Sequence, residues 1–158
     1  MKTERSIYDL LKEPTGDVYR HLLGISMDYC NTFLLVLRHT LGVNESALAV
    51  IESLAPFLIS RTESTEWPGT RLLDHTATVF RFELSSETKH VLGEATHSLC
   101  SWTQPELPED LCFIRFDGES WLVTIAHEKD AYFILTSEEK TTLEAKIPGL
   151  VLSHGGTP

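Results

Sequence analysis

Seven histidines, three cysteines and twenty-three carboxylates are the groups in this chain that could do chemistry. His127-Glu128 is the first place to look. A zinc-protease helix needs a second histidine four residues after the first, so that both imidazoles lie on one face. Position 131 is alanine. Zinc-dependent deamination needs H-x-E together with P-C-x-x-C, and neither occurs. His97 and Cys100 have the spacing of a ligand pair, but Cys112 and His127, which would complete four ligands, stand alone. A thiol nucleophile and its histidine base meet in space rather than along the chain. Cys30, Cys100 and Cys112 therefore leave such a centre open, with His127 its first candidate. No G-x-S-x-G elbow, G-x-x-x-x-G-K-[ST] loop or G-x-G-x-x-G fingerprint is present. The expectation is no catalytic residue, no metal and no cofactor, with His127 bonding a neighbouring carboxylate or backbone group.

The carboxylates carry more information. The formal charge is −10, and it is uneven: −2 through Arg71 and −8 from Leu72 onward. Phosphate binding runs on Lys and Arg, so a nucleic-acid partner is not expected. Between positions 106 and 130 stand Glu106, Glu109, Asp110, Asp117, Glu119, Glu128 and Asp130, opposed by Arg115 and Lys129. Several fall at turns, where side chains can reach a partner. These acids form the candidate partner-binding surface, with Trp67, beside Pro68 in a polar stretch, as a candidate aromatic anchor. The bland alternatives are an acidic rim that keeps the protein in solution and a Trp67 folded back onto the domain. In size, acidity and lack of catalytic motifs, the chain resembles bacterial immunity proteins. That resemblance of property implies a negative surface that neutralises a basic toxin. A small enzyme with a Cys/His centre near His127, or a regulatory or structural oligomer, are the other readings.

No apolar stretch of the secretory kind follows the first five residues. The apolar run at 33–37 is far short of the roughly 20 residues that a spanning helix needs. A cytoplasmic chain with free thiols and no membrane partner is the expectation.

The elements that would position these groups read as α+β. Ile7, Leu10 and Leu11 suggest a short helix. Asp17 starts a long one, whose apolar positions Val18, Leu22, Ile25, Tyr29, Phe33, Val36 and Leu37 follow the 3.6-residue period to Gly42. Asn44 caps a third helix that Pro56 ends. Residues 60–71 read as a loop. A strand is expected at 76–84, then a helix capped by Ser85 or Ser86 that reaches Trp102. Strands at 111–116 and 119–127 flank Asp117-Gly118, a strong two-residue hairpin signal. That register puts Cys112, Ile114, Phe116, Trp121, Val123 and Ile125 on one core face. A third strand at 131–135 leads into Thr136-Ser137-Glu138-Glu139, a capping box opening a helix to Ile147. The expected architecture is N-terminal helices on a small, mostly antiparallel sheet, with a C-terminal three-strand meander and terminal helix. It forms one domain over 1–158, with 1–60 as a possible helical subdomain and a frayed tail.

Overall fold

The computed structural model describes residues 4–158. The helix that begins at Asp17 stops far earlier than its periodicity suggests. Helix α1 is Asp17–Tyr29, and the chain passes directly into strand β2, Cys30–Arg38. Phe33 and Leu35 of β2 enter the main core, while Leu34 and Val36 enter clusters on the opposite face. A strand covered on both faces is an unbroken apolar run, and here that run happens to continue the helical period of α1. The segment expected as a first helix is likewise a strand, β1, Ser6–Leu10.

Residues 60–71 are not a loop. They hold most of β3, Leu58–Ser64, and a small hairpin of β4, Glu66–Trp67, and β5, Thr70–Arg71. Strand β3 buries none of its side chains, so it lacks the alternation that marks a strand in sequence, and backbone pairing to β6, Ala77–Glu83, holds it. The small hairpin turns at Gly69 and lies directly on the sheet. A Cβ there would meet Val123 at 2.8 Å, and the φ of +85° independently favours glycine.

Helix α2, Glu45–Leu54, follows Asn44, whose side chain donates to Glu106 at 2.8 Å instead of capping the helix. Helix α3, Ser86–Ala95, is capped by Ser85 and ends before Trp102. The meander then appears as β7, Glu109–Arg115, β8, Ser120–Ile125, and β9, Asp130–Leu135. The capping box at Thr136 and Glu139 opens α4, Ser137–Lys146. The tail, expected to fray, contains β10, Leu152–Gly156, paired with β1.

Eight strands form one antiparallel sheet in the order β10-β1-β9-β8-β7-β2-β6-β3. The architecture is α+β as expected, but the sheet is large. Residues 6–60 contribute β1, β2 and the start of β3 to it rather than forming a helical unit. Side chains from all four described helices join the main core on one face, including Leu22, Leu54, Leu92 and Leu143. The other face holds a smaller layer of Leu34, Cys112, Ile114 and Val123. Beside it, Trp67 of the small hairpin covers Val36 and Ala77. Trp102, as expected, is core: its Nε1 donates to Tyr19 Oη, which in turn donates to the Leu92 carbonyl. No helix among the described residues is long and apolar enough to cross a membrane.

The β7–β8 hairpin corrects the expected register. Arg115, not Phe116, faces Glu119: the Arg115 amide donates to the Glu119 carbonyl at 2.8 Å, and Gly118 donates back to Arg115 at 3.0 Å. The turn therefore holds three residues, 116–118, with Gly118 at φ +88°, the left-handed position such turns require. Phe116 leaves the sheet and is 67% exposed. A register shift follows, since Phe113 pairs with Leu122 but Ile114 with Ser120. Trp121 is the extra residue. It is buried as expected but on the helix side, between Tyr29, Phe113 and Phe133, and not with Ile114 and Cys112.

Candidate functional site

The hairpin turn, the start of β1 and the start of α4 meet at one end of the meander. Strand β9 runs antiparallel to β8, so the chain leaves it beside the 116–118 turn and delivers the first turn of α4 there. The result is a groove of about 620 Å³ whose lining includes Glu4, Asp117, Glu119, Glu138 and Glu139, with Arg5 its one basic residue among the described residues. Arg5 bonds Asp117 at 2.9 Å and Glu119 at 2.8 Å. The Glu119 amide and Arg5 together hold the Asp117 carboxyl below its usual range.

Beneath the groove Arg115, almost fully buried, forms a fork onto both oxygens of Glu139 at 2.9 Å each. Its Nη2 also donates to the Ile134 carbonyl at 2.8 Å, and the Tyr29 ring lies over the guanidinium. Glu139 Oε1 accepts from the Thr136 amide as well. Burial acts to raise the Glu139 carboxyl, but the Arg115 fork outweighs it and leaves the group below its usual range. Glu139 thus has three tasks: capping α4, pinning Arg115 and lining the groove. Glu4, Asp117 and Glu138 are exposed, and Phe116 stands beside them on the turn.

The structure divides the residues expected to bind a partner. Asp117 and Glu119 sit in the groove. Glu128 and Asp130 are exposed at the β8–β9 turn, and Glu106 is exposed before β7, at the far end of the meander. These three do not join the groove surface. Glu109, Asp110 and Trp67 are corrections, because they are 1%, 0% and 6% exposed and cannot meet a docking protein. The reason is local. Trp67 folds onto the sheet and its Nε1 donates to Asp110 Oδ2 at 3.0 Å, while the Ala126 amide donates to Asp110 Oδ1 at 3.0 Å. Glu109 Oε1 accepts from the Gln104 amide at 2.8 Å and from Thr103 Oγ1 at 3.1 Å.

Glu4, Glu138, Glu139 and Arg5 were missing from the expectation. The pattern 136–139 marks a helix start and so places Glu138 and Glu139 in its first turn. That this start lies beside the hairpin turn is a matter of topology.

The cysteines are unlinked, and burial pushes the Cys100 and Cys112 thiols up to about 12 and Cys30 higher still. A nucleophilic cysteine needs the opposite shift. His97, Cys100 and Cys112 do not come together as metal ligands among the described residues, whereas His127 gathers with Glu109 and Asp110.

Comparison with protein-family models, with curated proteins and with solved structures finds no match for this chain.

Proposed function

We propose that this chain is a non-enzymatic, cytoplasmic binding protein of the immunity type, which neutralises a basic protein by docking it at the groove between the β7–β8 turn and α4. The observation that carries the reading is the groove itself: five carboxylates against Arg5 among the described residues, with the 67%-exposed Phe116 next in the chain to Asp117 of its lining. Interfaces of this kind use charge for steering and an aromatic group for affinity. Phe116 takes the anchoring part first given to Trp67, which is buried. The preformed salt bridges of Arg5 hold Asp117 and Glu119 in place without neutralising Glu4 and Glu138.

The test is association with a strongly basic protein encoded beside this gene, followed by stopped flow at low salt and at about 0.15 M, where screening cuts the field to about 8 Å. Paired reversal by Glu119→Lys and Glu138→Lys should slow association about tenfold, with much less effect on dissociation. Reversal at Glu87 and Glu94, exposed on α3 outside the groove, should leave it within twofold. Phe116→Ala should instead speed dissociation. Equal effects from both reversals, or association indifferent to salt, would overturn the reading.

A further inference from the structure

At the opposite end of the meander from the groove, three ligand-type side chains converge. Glu109 and Asp110 open β7, and His127 lies in the single 3-10 turn Ala126–Glu128 that joins β8 to β9. One atom from each lies within 4.8 Å of the other two. Adjacent residues of a regular strand point to opposite faces. Asp110 has φ +56°, which breaks that alternation and lets neighbouring carboxylates share a side.

The hydrogen bonds within the cluster are incomplete at one atom. Glu109 Oε1 has its two donors, from Gln104 and Thr103, but Oε2 is buried and has no partner among the described residues. Glu109 is 1% exposed, so water does not reach it from bulk solvent. A buried carboxylate oxygen without a donor is costly, and native proteins rarely leave one. Arg38 is the neighbouring cation, yet no hydrogen bond joins it to Glu109 among the described residues, and its own Nε is also unpartnered. The Arg38 guanidinium lies instead over the Trp67 ring, 5.4 Å from its centre. A second carboxylate beside Glu109, fully buried and held by Trp67 and Ala126, adds negative charge where a cation is the missing element.

We propose that Glu109, Asp110 and His127 bind a first-row divalent cation, with zinc and manganese the ions best suited to the set. Two carboxylates and one imidazole form a mixed oxygen and nitrogen donor group of the kind these ions take. Bond lengths of about 2.0–2.2 Å put three ligand atoms on one ion roughly 3–3.8 Å apart, so a cluster gathered within 4.8 Å closes by roughly 1 Å where it is widest. The His127 side chain, 43% exposed, is the ligand with most room to move. It lines a depression of about 310 Å³ shared with Arg38, Thr70, Arg71 and Glu128, which leaves the His127 side of the ion open to water or a small anionic ligand. The site ties the start of β7 to the β8–β9 turn. Zinc-motif spacing does not show it, because its ligands come from two adjacent acids and a histidine one hairpin later.

The test is calorimetric titration of the full chain, stripped with chelator, with Zn²⁺ and with Mn²⁺, alongside elemental analysis. The expected result is one ion per chain. His127→Ala, at an exposed position that the fold tolerates, should weaken binding at least about tenfold, as should Glu109→Gln, while Glu87→Gln, exposed on α3 and away from the cluster, should change it less than twofold. Co²⁺ should give visible absorption bands that His127→Ala abolishes, with an unchanged far-ultraviolet spectrum showing that the variant is folded. No binding of either ion up to millimolar concentration, or binding that survives His127→Ala intact, would overturn the proposal.

Discussion

Two carboxyls of this protein, half-buried Glu139 and buried Glu109, are shifted in opposite directions for opposite reasons. Glu139 has its charge held by the Arg115 fork against the effect of burial, so its folded-state value lies below the unfolded one. Its contribution is therefore present above the unfolded carboxylate range and lost as pH falls through the folded value. Arg115→Ala should cost about 3–5 kcal/mol at neutral pH, because it strands a partly buried charge, and the deficit should shrink in acid as Glu139 takes a proton. Urea midpoints at neutral and acidic pH check this. Glu109 is raised first by burial and further by Asp110, with the Gln104 amide, the Thr103 hydroxyl and Arg38 opposing. Its contribution is full below the unfolded value and lost as pH rises through the folded one. Glu109→Gln in chelator should remove that loss, so the variant should be at least as stable as the parent at neutral pH and lose less stability as pH rises above the ordinary carboxylate range. A variant less stable than the parent at neutral pH would show that the charged form of Glu109 is needed for folding.

At the scale of elements, the aromatic cluster on the helix side of the meander is the sharpest case. Trp121 is fully buried between Tyr29, Phe113 and Phe133, yet its Nε1 has no acceptor. Trp121→Ala should cost about 3–5 kcal/mol, the usual range for emptying a buried aromatic site. Trp121→Phe keeps most of the packing and removes an unpaired donor, so it should cost less than half as much. Denaturant midpoints at constant m-value decide between them. That Trp121 would be buried was legible in the sequence; which face would bury it was not. Asp117-Gly118 signals a turn, but Gly118 in the left-handed region serves a three-residue turn as readily as a two-residue one, and one residue of difference moves each side chain to the other face. The caps at Ser85 and Thr136 were legible because their chemistry is local. The α1–β2 junction was not, since Tyr29 and Cys30 carry no breaker between them and the helical period runs on. The candidate groove was half legible. Asp117 and Glu119 stand out as acids, whereas Glu4 and Glu138 become their neighbours through pairings between distant strands. Glu109 and Asp110 look like turn acids in sequence, yet both are buried, and Asp110 is held there by Trp67, more than 40 residues earlier.

For the molecule as a whole, the separation of the two ends of the meander organises everything above. The groove and its fork of Arg115 and Glu139 lie at one end, and Glu109, Asp110 and His127 lie at the other. Changes at one should therefore leave the other unaffected, since sites without shared partners add independently. The strand order carries a further consequence, for the time course of folding. Strand β1 is the first strand in the chain, but its two neighbours, β9 and β10, are the last. Strands β2, β6, β7 and β8 can zip together while β1 still waits for a partner more than 120 residues away. Closing so long a loop is slow compared with forming hairpins, and it leaves the β1 segment with unpaired backbone until the end. In pulse-labelling hydrogen exchange, the amides of Phe33, Phe82 and Phe113 should become protected before that of Tyr8. On a ribosome, β1 is made before both of its partners and would be the last of these strands to find its place.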